Sequence, residues 1–214
     1  MNFDEIDKEL IESVVNVYDT ISKVYNAEFF EYDVNSPFID EFLKGISNQG
    51  KILDAGCASG RDVLYMGNKG YDVIGIDLSD NFLDLAKKQV PNGKFFKMNA
   101  CQLEFSNQEF DGILDAYVFM HFSKSLKEIA LAEYGRVLKR GGKLLLLSSV
   151  TNGENYLDEP LLPGTKIYHC YYSDEEMKDL FVNSSFELDS IIYGNMSSAG
   201  ELSAGIQAVY ATKK

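Results

Sequence analysis

The sequence predicts an α/β fold, a mostly parallel sheet with helices on both faces. Three observations carry this expectation. From Lys51 onward, short apolar runs alternate with amphipathic stretches at the pitch of βαβ units. Lys143–Val150 is too apolar for a sheet edge, as a strand covered on both faces is. The last two β runs, Phe186–Tyr193 and Ile206–Thr212, have no helical pattern between them and are therefore expected to pair antiparallel.

Ile6, Leu10, Val14, Val17, Ile21 and Tyr25 recur at spacings of four and three and predict a first helix with one apolar stripe. Ser36-Pro37 reads as a cap followed by proline at the first helical position, opening a helix that turns Phe38, Phe42 and Ile46 inward. Strands are then expected at Lys51–Ala55, Tyr71–Asp77, Lys94–Asn99, Phe110–Tyr117 and Lys143–Val150. Helices are expected at Arg61–Lys69, at Ser79–Val90 with Ser79 as cap, and at Ser125–Lys139 behind a Ser125/Glu128 capping box. Gly141-Gly142 reads as a break. Residues 151–171, with Gly153, Pro160, Pro163 and Gly164, read as a long connection of the kind that is usually functional or mobile, and Ser173/Glu176 as a capping box for a helix through Phe181. With no repeat, low-complexity tract or linker, the 214 residues read as one domain, with a helical segment over 1–48 and an α/β core over 49–214.

Composition narrows the function classes. A formal net charge of −13 repels nucleic-acid backbones and anionic membranes, so neither is an expected partner. No apolar run approaches the length of a membrane span, and the acidic first ten residues are unlike a secretion signal. Cys57, Cys101 and Cys170 stand far apart and in no zinc spacing, so free thiols, a reducing cytoplasm and no metal are expected.

The informative stretch is Leu53-Asp54-Ala55-Gly56-Cys57-Ala58-Ser59-Gly60-Arg61, a buried strand entering a small-residue turn that opens a helix. Glycines there let the backbone approach a ligand, and the helix N-terminus offers free N–H groups. One helix and one strand later, Asp77 ends a strand at the edge where open α/β sheets bind ligands, and an acid there suits a ribose diol. No frame gives the G-x-G-x-x-G that a pyrophosphate needs, and Asp54 suits an ammonium rather than a phosphate. S-adenosylmethionine has an ammonium, a ribose and an adenine, and no phosphate.

At these residues the chain resembles the class I S-adenosylmethionine-dependent methyltransferases. Asp54-x-Gly56-x-x-x-Gly60 is similar to their first motif, with Ala58 in place of the middle glycine on a backbone expected to suit an L-residue. Phe110–Tyr117 resembles the fourth strand, Arg136-Val137-Leu138-Lys139-Arg140-Gly141-Gly142 the turn before the fifth, and Tyr172–Met177 a late helix start. The resemblance is nearest to small-molecule and metalloid methyltransferases with Gly-Arg-Asp after the first turn. It implies a Rossmann-like three-layer sandwich with strand order 3-2-1-4-5-7-6, strand seven antiparallel, and an N-terminal lid with Tyr18 or Tyr25 near the site. It also implies a cofactor set: Asp54, Gly56, Cys57, Ala58, Gly60 and Arg61 at the first turn, and Asp77 and Leu78 after strand two. Asn99 and Ala100 are placed at the adenine, Asp115 and Ala116 at the end of strand four, and Tyr25 on the lid.

Each residue also has a plainer reading. Tyr25 ends an apolar stripe and equally reads as packing. Arg61 reads as a partner of the cofactor carboxylate or as a solvated first-turn residue. Cys57 reads as a small buried turn residue rather than a nucleophile. His121, after strand four, reads as a general base or as a hydrogen-bonded structural histidine. Tyr117, His169 and Tyr172 are the acceptor-side candidates. The [DN]-P-P-[YF] of amino-methylating DNA enzymes and the Pro-Cys of cytosine-C5 enzymes are absent. A small-molecule acceptor is therefore expected, a protein side chain second. A nucleotide-dependent oxidoreductase and a non-catalytic cofactor-binding protein remain as other classes.

Overall fold

A computed structural model describes residues 5–151, 153–195 and 205–214. The elements run α1 (Glu5–Phe29), α2 (Ser36–Leu43), β1 (Lys51–Ala55), α3 (Arg61–Asn68), β2 (Asp72–Asp77), α4 (Asp80–Gln89), β3 (Lys94–Lys97) and β4 (Phe110–Ala116). A 3-10 turn (Phe119–His121) follows, then α5 (Lys124–Val137), β5 (Leu138–Ser149), β6 (Glu154–Asp158), β7 (Lys166–Cys170), α6 (Asp174–Val182), β8 (Phe186–Asn195) and β9 (Gly205–Lys213). Seven strands form one sheet in the order β3-β2-β1-β4-β5-β9-β8. All neighbours through β5 are parallel, and β9 is antiparallel to both β5 and β8. Counted without the β6–β7 pair, this is the order 3-2-1-4-5-7-6.

The apolar runs are continuous because both faces are covered. Leu53, Ile74, Ile76 and Ile113 pack with Leu126, Leu131 and Tyr134 of α5 and Met177 and Phe181 of α6. Ile52, Val73, Leu114 and Leu145 pack on the other face with α2, α3 and α4 through Ile39, Phe42, Met66 and Leu83. Strands buried on both faces cannot alternate polar with apolar residues, which is why the central strands read clearly from sequence.

Several local expectations are corrected. The cap of α5 is Ser123, whose hydroxyl accepts from the Leu126 amide, and not Ser125. Ser125 and Ser123 instead donate to the Asp7 carboxylate of α1. Gly141-Gly142 is no break: β5 leaves α5 directly and passes through a register shift opposite Phe110/Gly112, with Gly141 at φ 75°. Asn35, not Ser36, precedes α2, and its side chain makes no capping bond. Residues 151–171 are not an irregular connection, because β6 and β7 pair there as an antiparallel hairpin in a sheet of their own. Ile6 lies outside the buried stripe at 75% exposure, whereas Val17 and Ile21 are buried. Ser79 caps α4, and the Ser173/Glu176 capping box opens α6, both as the spacing predicts.

α1 crosses the C-terminal ends of the parallel strands. Val17, Ile21, Tyr18 and Tyr25 pack against Ile167 of β7 and Leu161 and Leu162 of the hairpin turn. Asp19 accepts from the Ser79 hydroxyl at the head of α4, and the Asn81 side chain donates back to the Asp19 carbonyl at 3.0 Å. Among the described residues, no helix is long and apolar enough to cross a membrane.

Candidate functional site

The turn after β1 is built from left-handed residues: Gly56 at φ 82°, Ala58 at φ 44° and Gly60 at φ 86°. The amides of Gly56 and Cys57 both donate to the Ile76 carbonyl, at 2.8 and 2.9 Å, which presses the turn against the end of β2. A Cβ on Gly56 would lie 1.9 Å from Cγ2 of Val118. Gly56→Ala therefore combines left-handed strain with overpacking and is expected to cost about 2–4 kcal/mol, read from urea melts. Ala58 does not take the L-allowed backbone expected of it. The left-handed φ makes Ala58→Gly a stabilising change of up to about 1 kcal/mol.

Asp77 stands where the sequence places it. One carboxylate oxygen accepts from the Ala58 amide at 2.9 Å and the other from the Ser79 amide at 2.8 Å, so it clasps the turn to the loop after β2. Each oxygen keeps a further lone pair for a hydroxyl. Burial raises its pKa, and the backbone amides oppose the rise. Asp54 is 2% exposed, and its Oδ2 has no hydrogen-bond partner among the described residues. Burial, and then the nearby Asp62, push its pKa well above the carboxylate range. Cys57 packs over Gly75, where a Cβ would come within 2.8 Å of Sγ, and burial pushes its thiol well up, the state of a packing residue.

Two small cavities lie beneath α1. One, of about 50 Å³, is lined by Asp54, Gly56, Ala58, Ala116 and Tyr117 with Tyr25 and Phe29 of α1. The other, of about 90 Å³, is apolar, between Leu78, Val118, Phe122 and His121 and the α1 residues Ile11, Val14 and Val15. Ligand pockets usually enclose about 300–1,000 Å³. With α1 seated, neither cavity reaches that size. A larger concavity, about 650 Å³ between α5 and α6, holds none of the first-turn residues.

The remaining candidates divide. Arg61 is committed to the protein: it pairs with Asp62 through Nε at 2.9 Å and donates to the carbonyls of Phe29, the last residue of α1, and of Tyr32 beyond it. Asp62 also accepts from Asn35, whose oxygen accepts from the Tyr117 hydroxyl. Tyr117 holds φ 66°, a strained position at the mouth of the cavity. Asp115 turns away into the core. It is fully buried, one oxygen accepting from the amides of Val118 and Phe119 and the other from the Tyr134 hydroxyl at 2.7 Å, while burial raises its pKa to about 6. Asn99 accepts from the Cys101 amide at 2.9 Å, and Ala100 beside it is buried. Tyr172 packs in the core, its ring 5.1 Å from Lys127 Nζ.

His121 is 5% exposed and accepts or donates at both ring nitrogens, to Tyr18 at 2.9 Å and to the Tyr168 carbonyl at 2.7 Å. His169 on β7 lies beside it, ring centroids 4.7 Å apart. Sequence reasoning missed Lys127. It is 1% exposed on α5, donates to the Phe119 carbonyl and sits 4.3 Å over the Phe119 ring. The signal was its spacing, since it continues the inward positions of Ala130, Leu131 and Tyr134.

Residues 53–146 match the methyltransferase domain family. A demethylmenaquinone methyltransferase of Thermotoga maritima is 33% identical over 102 residues, 47% of this chain and 44% of that protein. The chain thus matches less than half the length of that relative. An uncharacterized methyltransferase of Alkaliphilus oremlandii is 24% identical over 174 residues, 79% of each chain. Among solved structures, the 1,6-didemethyltoxoflavin-N1-methyltransferase of Burkholderia thailandensis, with bound 1,6-didemethyltoxoflavin and S-adenosylhomocysteine, superposes with a TM-score of 0.79. It is 16% identical, covering all of this chain and 92% of that one. The matched segment begins in β1 and ends in β5, so it spans the glycine turn, Asp77 and Asn99. Set in this strand order, the matched segment gives the chain the Rossmann-like fold of the S-adenosylmethionine-dependent methyltransferases to which it is similar.

Proposed function

We propose that the protein transfers a methyl group from S-adenosylmethionine to a small-molecule acceptor. The observation that carries the reading is Asp54, a buried carboxylate with one unpartnered oxygen, lining a cavity over a turn of left-handed residues. A buried charge without a partner is costly, and a ligand ammonium would supply the missing partner. In this reading Asp77 holds the ribose hydroxyls, and Gly56, Cys57, Ala58 and Gly60 give the backbone approach. Leu78, Asn99 and Ala100 border the adenine, Ala116 and Tyr117 border the methionine end, and Tyr25 roofs it. The bound cofactor supplies an electrophilic methyl group on sulfur. The protein contributes alignment and exclusion of water, and alignment alone accounts for up to about 7–11 kcal/mol in favourable cases.

Residues 1–48 act as a lid on the core of 49–214, with the 151–171 hairpin on the acceptor side. A net charge of −13 and the α1 roof favour a small acceptor over a polymer. The relatives named for demethylmenaquinone and 1,6-didemethyltoxoflavin act on such compounds. Three buried free cysteines fit a reducing cytoplasm.

Calorimetry is expected to show binding of S-adenosylmethionine and S-adenosylhomocysteine, and NADH binding with neither of them would sink the reading. Labelled methyl transfer should reach a small-molecule panel and spare added proteins. If α1 is a lid, its amide exchange slows when S-adenosylhomocysteine binds. Exchange equally slow with and without ligand would make α1 ordinary core.

A further inference from the structure

The chain has two histidines, and the fold brings their rings edge to face at 4.7 Å. Their surroundings differ. His121 meets the Tyr168 carbonyl through Nδ1, and a carbonyl only accepts, so the proton is on Nδ1. Nε2 then carries the lone pair and accepts from the Tyr18 hydroxyl. A second proton on Nε2 would break that bond in a buried place, and burial accordingly drives the pKa to about 3. His121 is a strut joining α1, the 3-10 turn and β7, and it has no free nitrogen for a substrate.

His169 is half-buried, and its Nδ1 is enclosed with no hydrogen-bond partner among the described residues. Facing it are His121 from the turn, Asn155 across the hairpin, and the charge of Lys127 from α5. Burial, and then Lys127, hold its pKa below the ordinary histidine value, so it is neutral with an available lone pair. An enclosed ring nitrogen without a partner is a cost that a ligand hydrogen bond would remove.

We propose that His169, rather than His121, touches the acceptor and takes its proton, and that the acceptor is a neutral O–H or N–H compound. This rests on the methyl-transfer reading above. The acceptor oxygen or nitrogen forms the new bond to the methyl carbon, and the pair of the broken carbon–sulfur bond stays on sulfur. The O–H or N–H pair remains with the acceptor atom, and its proton passes to the lone pair of His169. A thioether or other acceptor with no proton to lose would leave that nitrogen without a role.

With two histidines, ring ¹⁵N signals are assigned by a single variant. Phenol serves as an O–H probe in the S-adenosylhomocysteine complex, and toluene as its counterpart without the hydroxyl. Phenol is expected to move the His169 Nδ1 signal toward the protonated position and leave His121 unchanged, while toluene moves neither. His169→Gln should weaken phenol binding at least tenfold and keep S-adenosylhomocysteine affinity within twofold of wild type. A phenol response at His121, an equal response to toluene, or no response at either ring overturns the proposal. Failure of the wild-type protein to bind S-adenosylhomocysteine in calorimetry would overturn the underlying methyltransferase reading instead, so the two failures are told apart.

Discussion

Asp54→Asn is expected to yield a more stable protein that binds S-adenosylhomocysteine about tenfold to a hundredfold more weakly. The loss follows from removing a charge-assisted bond to an ammonium, about 1.5–3 kcal/mol. The gain follows from removing a carboxylate whose Oδ2 is buried without a partner. Its pKa is raised in the folded protein, by burial first and then by Asp62, so the folded state binds the proton more tightly than the unfolded chain does. Wild-type stability attributable to Asp54 is therefore full below the unfolded value of about 3.9 and is lost as pH rises through the raised folded value. The advantage of Asp54→Asn should grow across that window and level off above it, as urea midpoints at a series of pH values would show. An unchanged affinity for S-adenosylhomocysteine would remove Asp54 from the cofactor site.

Lys127→Met is expected to stabilise the protein by about 1–3 kcal/mol near pH 7. The ammonium is 1% exposed, and among the described residues no carboxylate lies within ion-pair distance of it. Burial lowers its pKa to about 8, against about 10.4 in an unfolded chain, a difference of about 3 kcal/mol before the lost bond to Phe119 is subtracted. The unfolded state holds the proton between those values and the folded state has released it, so wild-type stability rises with pH through that window. The advantage of the methionine should accordingly shrink between about pH 8 and pH 10. A constant advantage, or a large loss of stability at pH 7, would mean that the ammonium is well satisfied where it lies.

The sheet was legible because of where its strands lie. Lys51–Ala55, Asp72–Asp77 and Phe110–Ala116 are covered on both faces, so burial leaves a continuous apolar signature. The β6–β7 hairpin has no such signature. Glu154–Asp158 is mostly exposed and polar, and its pairing comes from β7 rather than from a core. The first-turn residues Asp54, Gly56 and Gly60 and the acid Asp77 were legible from their types and spacing. Side-chain direction and backbone sign were not. Asp115 turns into the core toward Tyr134, while Ala116 beside it lines the cavity. Ala58 adopts the left-handed backbone of the glycine it replaces. Arg61 spends its donors on Asp62 and the chain beyond α1, a commitment that depends on chain segments meeting only in three dimensions.

The bond between Tyr18 and His121 joins residues 103 positions apart. At synthesis rates of about 5–20 residues per second, α1 emerges roughly 5–20 s before its partner exists. During that interval its apolar stripe has no turn and no hairpin to cover it, while Glu5, Asp7, Glu9 and Glu12 keep its opening turns strongly acidic. Mutual repulsion between nascent copies guards the stripe until the last strands arrive. Neutralising the exposed Glu5, Glu9 and Glu12, and leaving the buried Asp7 in place, should therefore lower the yield of soluble protein during expression more than it alters the melting of the finished fold.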